Sequence, residues 1–257
     1  MPYADVDDVR LHYRFDGPDG APVLMPSNSL GTDLAMWEAQ IPRFTRDHRV
    51  LRYDTRGHGQ SSVTPGPYTI ERLGRDVVAL LDQLALDRVT FCGLSLGGMT
   101  GMWLGVHASA RVARLVLANT AAHMAPPDVW NARIDKVNAG GMAAISDAVL
   151  ARWFTPQFIA REPATLAKMK AMMERQPAAG YVACCAAVRD MDQRDELAAI
   201  AVPTLVIVGT QDAATKPPDG RFLTERIPDA RLVELAAAHL SNIEAAPAFN
   251  AALASFL

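Results

Sequence analysis

Six consecutive residues, Gly93-Leu94-Ser95-Leu96-Gly97-Gly98, set one hydroxyl among leucines, with glycines two positions before and two after it. The apolar run "VTFC" leads in and "MTGMWLGVHA" leads out, so Ser95 stands where a predicted strand hands over to a predicted helix. A serine on so sharp a turn adopts a strained backbone with positive φ. That conformation crowds the positions on either side, which is a steric reason for Gly93 and Gly97. The turn lifts Oγ clear of the sheet and aims the helix N-terminus at whatever Oγ attacks. The backbone N–H of Leu96 is then placed to receive an oxyanion. Taken alone, the pattern also suits a glycine-rich turn with an incidental serine.

A serine hydroxyl needs a base. Of six histidines, His12 and His48 lie in or beside early strands and His107 at the far end of the helix that Ser95 opens. His58 sits in "DTRGHGQS" and His123 at the start of a helical block. His239, in "AAAHLSNIE", follows the last predicted strand and so shares the carboxyl edge of a parallel sheet with Ser95; it is the candidate base. A buried carboxylate must fix its tautomer. Asp212, in "LVIVGTQDAATKPP", lies three residues past Gly209 and gives the chain order Ser, Asp, His. Asp54, after "VLRYD", is the rival, but with Arg56 it reads better as a brace for its own loop. The second oxyanion donor is expected from "NSLGTD" (28–33), with the N–H of Leu30 facing that of Leu96.

These residues need a frame. Strands are predicted at 9–17, 22–28, 48–54, 88–93, 111–119, 203–209 and 231–238, and helices at 33–44, at 69–86, from Ser95 onward, and at the chain end. Strands alternating with helices imply parallel pairing, because parallel neighbours need a crossover. From 121 to 199 the sequence reads as helices alone. The expected architecture is therefore an α/β core of residues 1–120 and 200–257, with a helical lid, 121–199, inserted in it.

At 257 residues and 50% apolar composition the chain can bury a sizeable core. A net charge of −3, with no basic tract, speaks against a nucleic-acid partner. No apolar run approaches the ~20 residues of a membrane span, and no signal-peptide pattern opens the chain. Three cysteines, two of them adjacent, make no disulfide framework, so a reducing, cytoplasmic setting is expected. No metal or cofactor is expected, and the oligomeric state is not legible.

Over nearly its whole length the sequence resembles the α/β-hydrolases, whose signature is the elbow with the order Ser, Asp, His. More narrowly it is similar to the 3-oxoadipate enol-lactonases of bacterial aromatic catabolism. "NSLGTDLAMWEAQ", "LRYDTRGHGQSS", "FCGLSLGGMTGMWLG", "LANTAAHMAPPDVWNARIDKV", "VGTQDAATKPPDG" and "AAHLSNIE" carry that likeness. The resemblance implies an α/β-hydrolase fold, a mostly parallel sheet flanked by helices. It also implies the triad Ser95, Asp212 and His239, and hydrolysis of an enol-lactone to 3-oxoadipate through an acyl-enzyme, without cofactor. The implied partner is a small anionic lactone. A carboxylate-bearing substrate favours an arginine fork. In "VWNARIDK", Trp130 and Arg133 are three apart and share a helix face, so Trp130 is the candidate ring wall and Arg133 the candidate carboxylate ligand. Arg133 would otherwise pair with a surface acid such as Asp128, and Arg161 and Arg189 are weaker candidates. The rival readings are a broad carboxylesterase, a cofactor-free haloperoxidase-like hydrolase, and a non-catalytic small-ligand receptor.

Overall fold

The computed structural model describes residues 2–124 and 126–257; Met1 and Ala125, the latter within the expected lid, lie outside the described residues. Eight strands form one sheet: β1 (Tyr3–Val6), β2 (Val9–Asp16), β3 (Val23–Ser27), β4 (Arg49–Tyr53), β5 (Val89–Leu94), β6 (Val112–Ala118), β7 (Thr204–Gly209) and β8 (Arg231–Leu235). Their order is β1-β2-β4-β3-β5-β6-β7-β8. The first two pairings, β1 with β2 and β2 with β4, are antiparallel. Every pairing from β4–β3 to β7–β8 is parallel. All six residues of β7 are buried, which explains why "TLVIVG" reads as an unbroken apolar run.

Helices cover both faces of the sheet. They are α1 (Ile41–Phe44), α2 (Ile70–Gln83), α3 (Leu96–His107), α9 (Pro217–Arg226), α10 (Ser241–Glu244) and α11 (Ala246–Phe256), with five more between β6 and β7. Those five are α4 (Pro127–Gly140), α5 (Ala143–Trp153), α6 (Pro156–Arg161), α7 (Pro163–Glu174) and α8 (Ala178–Asp190). The Thr69 side chain caps α2 by accepting from Arg72 N–H, and Leu73, Val77, Leu80 and Leu81 form its buried apolar stripe. The predicted helix at 33–44 divides instead into a 3₁₀ turn, Leu34–Trp37, capped by Asp33, and the short α1. Pro42 is the cause. Inside a continuous helix it would lack the donor for its turn and press on the carbonyl four residues back, whereas near the start of α1 it fits. The short hairpin strand β1 precedes the first predicted strand; it buries only Ala4 and Val6.

Loop 54–62 is braced from below. Arg56, fully buried, sends Nε and Nη2 to the two oxygens of buried Asp76 on α2, at 2.7 and 2.6 Å. Its other donors reach Thr64 and Asp8. Burial pushes the Asp76 carboxyl up, and the Arg56 guanidinium opposes that by favouring the charged form. Removing Arg56 leaves the buried Asp76 carboxylate with the partly exposed Arg72, 3.2 Å away, as its counter-charge. Arg56→Met should therefore cost about 3 kcal/mol in urea unfolding, at the low end for a broken buried pair, and adding Asp76→Leu should recover most of the loss. A single variant as stable as the parent would show that the pair holds nothing.

Candidate active site

Each parallel strand delivers its part at its carboxyl end. Ser95 follows β5 with φ 57° and ψ −115°, as the elbow requires. A Cβ on Gly93 would run into the Gly97 carbonyl, and one on Gly97 into the Ser27 carbonyl. The turn is held by Ser95 N–H donating to Ala118 O at 2.9 Å and by Thr120 Oγ1 donating to Ser95 O at 2.8 Å. Gly97 N–H donates to Asn28 O at 3.0 Å, tying the elbow directly to the loop after β3.

Asp212 follows β7 and His239 follows β8, and the two meet at 2.8 Å between Oδ2 and Nδ1. Asp212 is saturated with donors. Asn119 Nδ2 and Thr215 Oγ1 reach Oδ2 at 2.9 and 2.8 Å, while the N–H groups of Ala214 and Thr215 reach Oδ1 at 2.7 and 3.0 Å. Burial would raise its pKa, but the charge and hydrogen bond of His239, with the Asn119 and Thr215 bonds, outweigh it and hold the carboxyl below its ordinary value. An ionised Asp212 takes the Nδ1 proton of His239 as its hydrogen-bond donor. Nε2 is then the basic edge.

Asn119 escaped the sequence reading. It ends β6 in a left-handed conformation, φ 44°, and also bonds Ala238 O and Ser241 Oγ, at 3.2 and 2.5 Å. An asparagine just past a buried strand, a residue type that tolerates positive φ, was the available signal. Glu244 was missed too. It accepts from Ala238 N–H at 2.9 Å and from Thr155, so it ties the His239 loop to the start of α6.

Leu30 and Leu96 flank the serine in one cavity with His239. Among the described residues, neither of their N–H groups donates to a protein acceptor. The loop that carries Leu30 is pinned on all sides. Asn28 bridges Tyr53 O and Trp37 Nε1, Thr32 Oγ1 donates to Ser29 O, and Leu34 N–H donates to Asp54. Gly31 N–H donates to His58 Nε2 at 3.1 Å. A backbone N–H can only donate, so His58 Nε2 must be bare and Nδ1 carries the proton, toward Arg56 O at 3.4 Å. Burial holds the His58 pKa below its ordinary 6.5, against the pull of the Arg56 carbonyl and the Asp54 and Asp33 charges.

Of the five helices between β6 and β7, α4, α5 and α8 wall the cavity. Trp130 and Arg133 of α4 line it, with the guanidinium 4.6 Å from the indole centroid. Arg133 also interacts with buried Tyr181 of α8 and makes no ion pair with Asp128 among the described residues. Arg152 of α5, absent from the sequence reading, lines the cavity as well; no motif marks it. Arg161 and Arg189 do not line it and pair with Glu162 and Asp190. The cavity is narrow: of ≈ 510 Å³ of empty space, part of it open to solvent, ≈ 50 Å³ admits the centre of a water-sized sphere, which suits a small ligand. A larger surface groove of ≈ 800 Å³, beside Trp103 and His107, lies away from Ser95 and holds no serine or cysteine. No group of acids, histidines and cysteines among the described residues is arranged to hold a metal ion.

A serine on a strand-to-helix elbow, backed by a histidine–aspartate pair at the carboxyl edge of such a sheet, defines a hydrolase of the α/β fold. Residues 22–246 match the family described as alpha/beta hydrolase fold. The 3-oxoadipate enol-lactonase 2 of Acinetobacter baylyi is 45% identical over 96% of this chain and 92% of its own. The 3-oxoadipate enol-lactonase 1 of the same organism is 40% identical over 91% and 88%. The crystal structure of the enol-lactonase from Burkholderia xenovorans superposes with a TM-score of 0.98 at 48% identity, covering 99% of both chains. The chain belongs to the α/β-hydrolase family and, within it, to the 3-oxoadipate enol-lactonases.

The His58 geometry has a measurable counterpart. His58→Phe removes the acceptor for Gly31 N–H and should lower kcat roughly 10²-fold with little change in KM. His58→Gln, which keeps an acceptor, should retain most of kcat. Because the folded pKa is depressed, acid protonates the unfolded chain first. The His58 contribution to stability is full above 6.5 and lost as pH falls through the lower folded value. His58→Gln should therefore flatten the stability–pH curve below 6.5, and an unchanged slope would refute the neutral assignment.

Proposed function

We propose that this enzyme hydrolyses 3-oxoadipate enol-lactone to 3-oxoadipate in aromatic catabolism, with Ser95, His239 and Asp212 as its triad. One observation carries the substrate choice within the family: Arg133, stacked on Trp130 and with no acidic partner among the described residues, opens into the same narrow cavity as Ser95 and His239. A guanidinium there matches the carboxylate arm of the lactone, and the indole walls the flat ring.

In this mechanism His239 Nε2 takes the Ser95 proton as Oγ attacks the lactone carbonyl. The N–H groups of Leu30 and Leu96 receive the oxyanion, and preorganised donors of this kind contribute about 3–4 kcal/mol each. Collapse breaks the ring C–O bond. The enol oxygen takes the proton from His239 and tautomerises to the ketone, still tethered within the acyl-enzyme. His239 then deprotonates a water that attacks the ester, and Ser95 recovers its proton as the acid leaves. Asp212 keeps the imidazole oriented and stabilises its cation throughout.

The helices of residues 121–199 act as the lid in this reading, shielding the acyl-enzyme and supplying the acid-recognising groups. No helix among the described residues is long and apolar enough to cross a membrane. The three cysteines are free and buried, which suits the cytoplasm, where we place the enzyme.

Loss of the enol-lactone's ultraviolet absorbance on adding purified protein tests the reading. Ser95→Ala should slow it by about 10⁴-fold or more while leaving the fold intact; wild-type turnover in that variant would remove Ser95 from the chemistry. Arg133→Ala should mainly raise KM for the lactone and leave a neutral ester unaffected. An equal loss on both substrates would refute the carboxylate role.

A further inference from the structure

The lining of the cavity contains two arginines, Arg133 on α4 and Arg152 on α5, and no aspartate or glutamate. All the other arginines between β6 and β7 have an acid partner: Arg161 with Glu162, Arg175 with Asp33, Arg189 with Asp190 and Arg194 with Asp192. Arg133 and Arg152 alone have none among the described residues. A partly buried guanidinium without a counter-charge forgoes solvation that neutral and aromatic contacts replace only in part. Arg152 lies in the last turn of α5, where a cation is favoured by the helix dipole. The dipole accounts for a cation at that end of the helix; it gives no reason for the side chain to face the reaction cavity.

The two cations are anchored differently. Arg133 rests on Trp130 and beside Tyr181, under α8. Arg152 precedes Trp153, whose carbonyl accepts from Leu240 N–H at 3.0 Å, so it enters from the wall that adjoins His239. The charge count of the reaction matches this arrangement. The lactone carries one carboxylate. Hydrolysis of the acyl ester by water leaves a second carboxylate and a proton, so the bound anion goes from one negative charge to two.

We infer that Arg152 forms a second anionic subsite, distinct from that of Arg133, and that the cavity recognises a dicarboxylate through one guanidinium at each end. This rests on the function proposed above. Arg133 holds the carboxylate present from the start. Arg152 gains its partner as the acyl-enzyme is hydrolysed, which makes the site selective for lactones that open to diacids and sensitive to inhibition by its own class of product.

Calorimetric titration of the wild-type enzyme with adipate and with hexanoate, which have the same carbon count but two and one carboxylates, tests the inference without turnover. Adipate should bind about tenfold or more tighter, the effect of one added charged hydrogen-bonded contact. Arg152→Gln should abolish that advantage with hexanoate unchanged, and Arg152→Lys, which keeps the charge, should restore part of it. Equal affinity for the two acids in the wild type would overturn the second subsite. So would an Arg152→Gln variant that weakens hexanoate as much as adipate, because the two arginines would then clamp one carboxylate. Failure to turn over the enol-lactone would instead refute the proposed function, whatever the titration shows.

Discussion

The contact between the turn after β5 and the end of β3 organises this molecule. Gly97 N–H bonds the Asn28 carbonyl, and the absence of a side chain on Gly97 lets the Ser27 backbone lie against it. Ser95 and the loop that carries Leu30 are thereby tied into one unit, joined across adjacent parallel strands. Oxyanion stabilisation depends on donors that need no rearrangement when charge develops. The register of β3 on β5, Ser27 opposite Gly93, brings the two into line.

Support for that unit runs outward in a chain of buried polar contacts. Asp76 holds Arg56, Arg56 holds the loop of His58, and His58 accepts from Gly31 next to Leu30. His12 Nδ1 bonds Asp54, which in turn accepts from Leu34 N–H beyond the same loop. Buried polar groups of this kind cost solvation that apolar packing would not. Their return is positional: they fix the tautomer of His58 and the backbone N–H groups of Gly31 and Leu34, on and beside the loop that carries Leu30.

Much of this was legible in the sequence wherever a local steric rule dictates residue type. The glycines around Ser95 announce the elbow, the apolar runs announce the buried strands, and the order Ser, Asp, His fits the sheet that forms. The structure brings Ser95, Asp212, His239, Leu30, Leu96, Trp130 and Arg133 to one place. What stayed illegible was set by contacts distant in sequence. Pro42 divides a helix that the apolar pattern alone runs straight through. Asn119 matters only because Asp212, 93 residues on, folds beside it. Arg152 sits in an ordinary helical stretch, and only the packing of α5 over the site turns it inward.

The helical block between β6 and β7 is fastened unevenly to the rest. At Gly57 and Gly180 the two meet backbone to backbone, so close that a Cβ on Gly57 would lie 2.7 Å from the Gly180 Cα. Around that point Gln176, Arg175 and Ala183 bond Gly59, Asp33 and Tyr68 of the core. Helices α4 and α5 carry Arg133, Arg152 and Trp130 and lie away from this seam; α5 meets the core at its end, where Trp153 O accepts from Leu240 N–H. An evolving lineage therefore has a region open to change and one closed to it. Under the function proposed above, substitutions at the cavity-lining positions of α4 and α5 would change which acid is accepted without touching the contacts that hold Ser95. Change at the α8 seam would disturb both together. On that reading specificity can drift in this scaffold faster than catalysis.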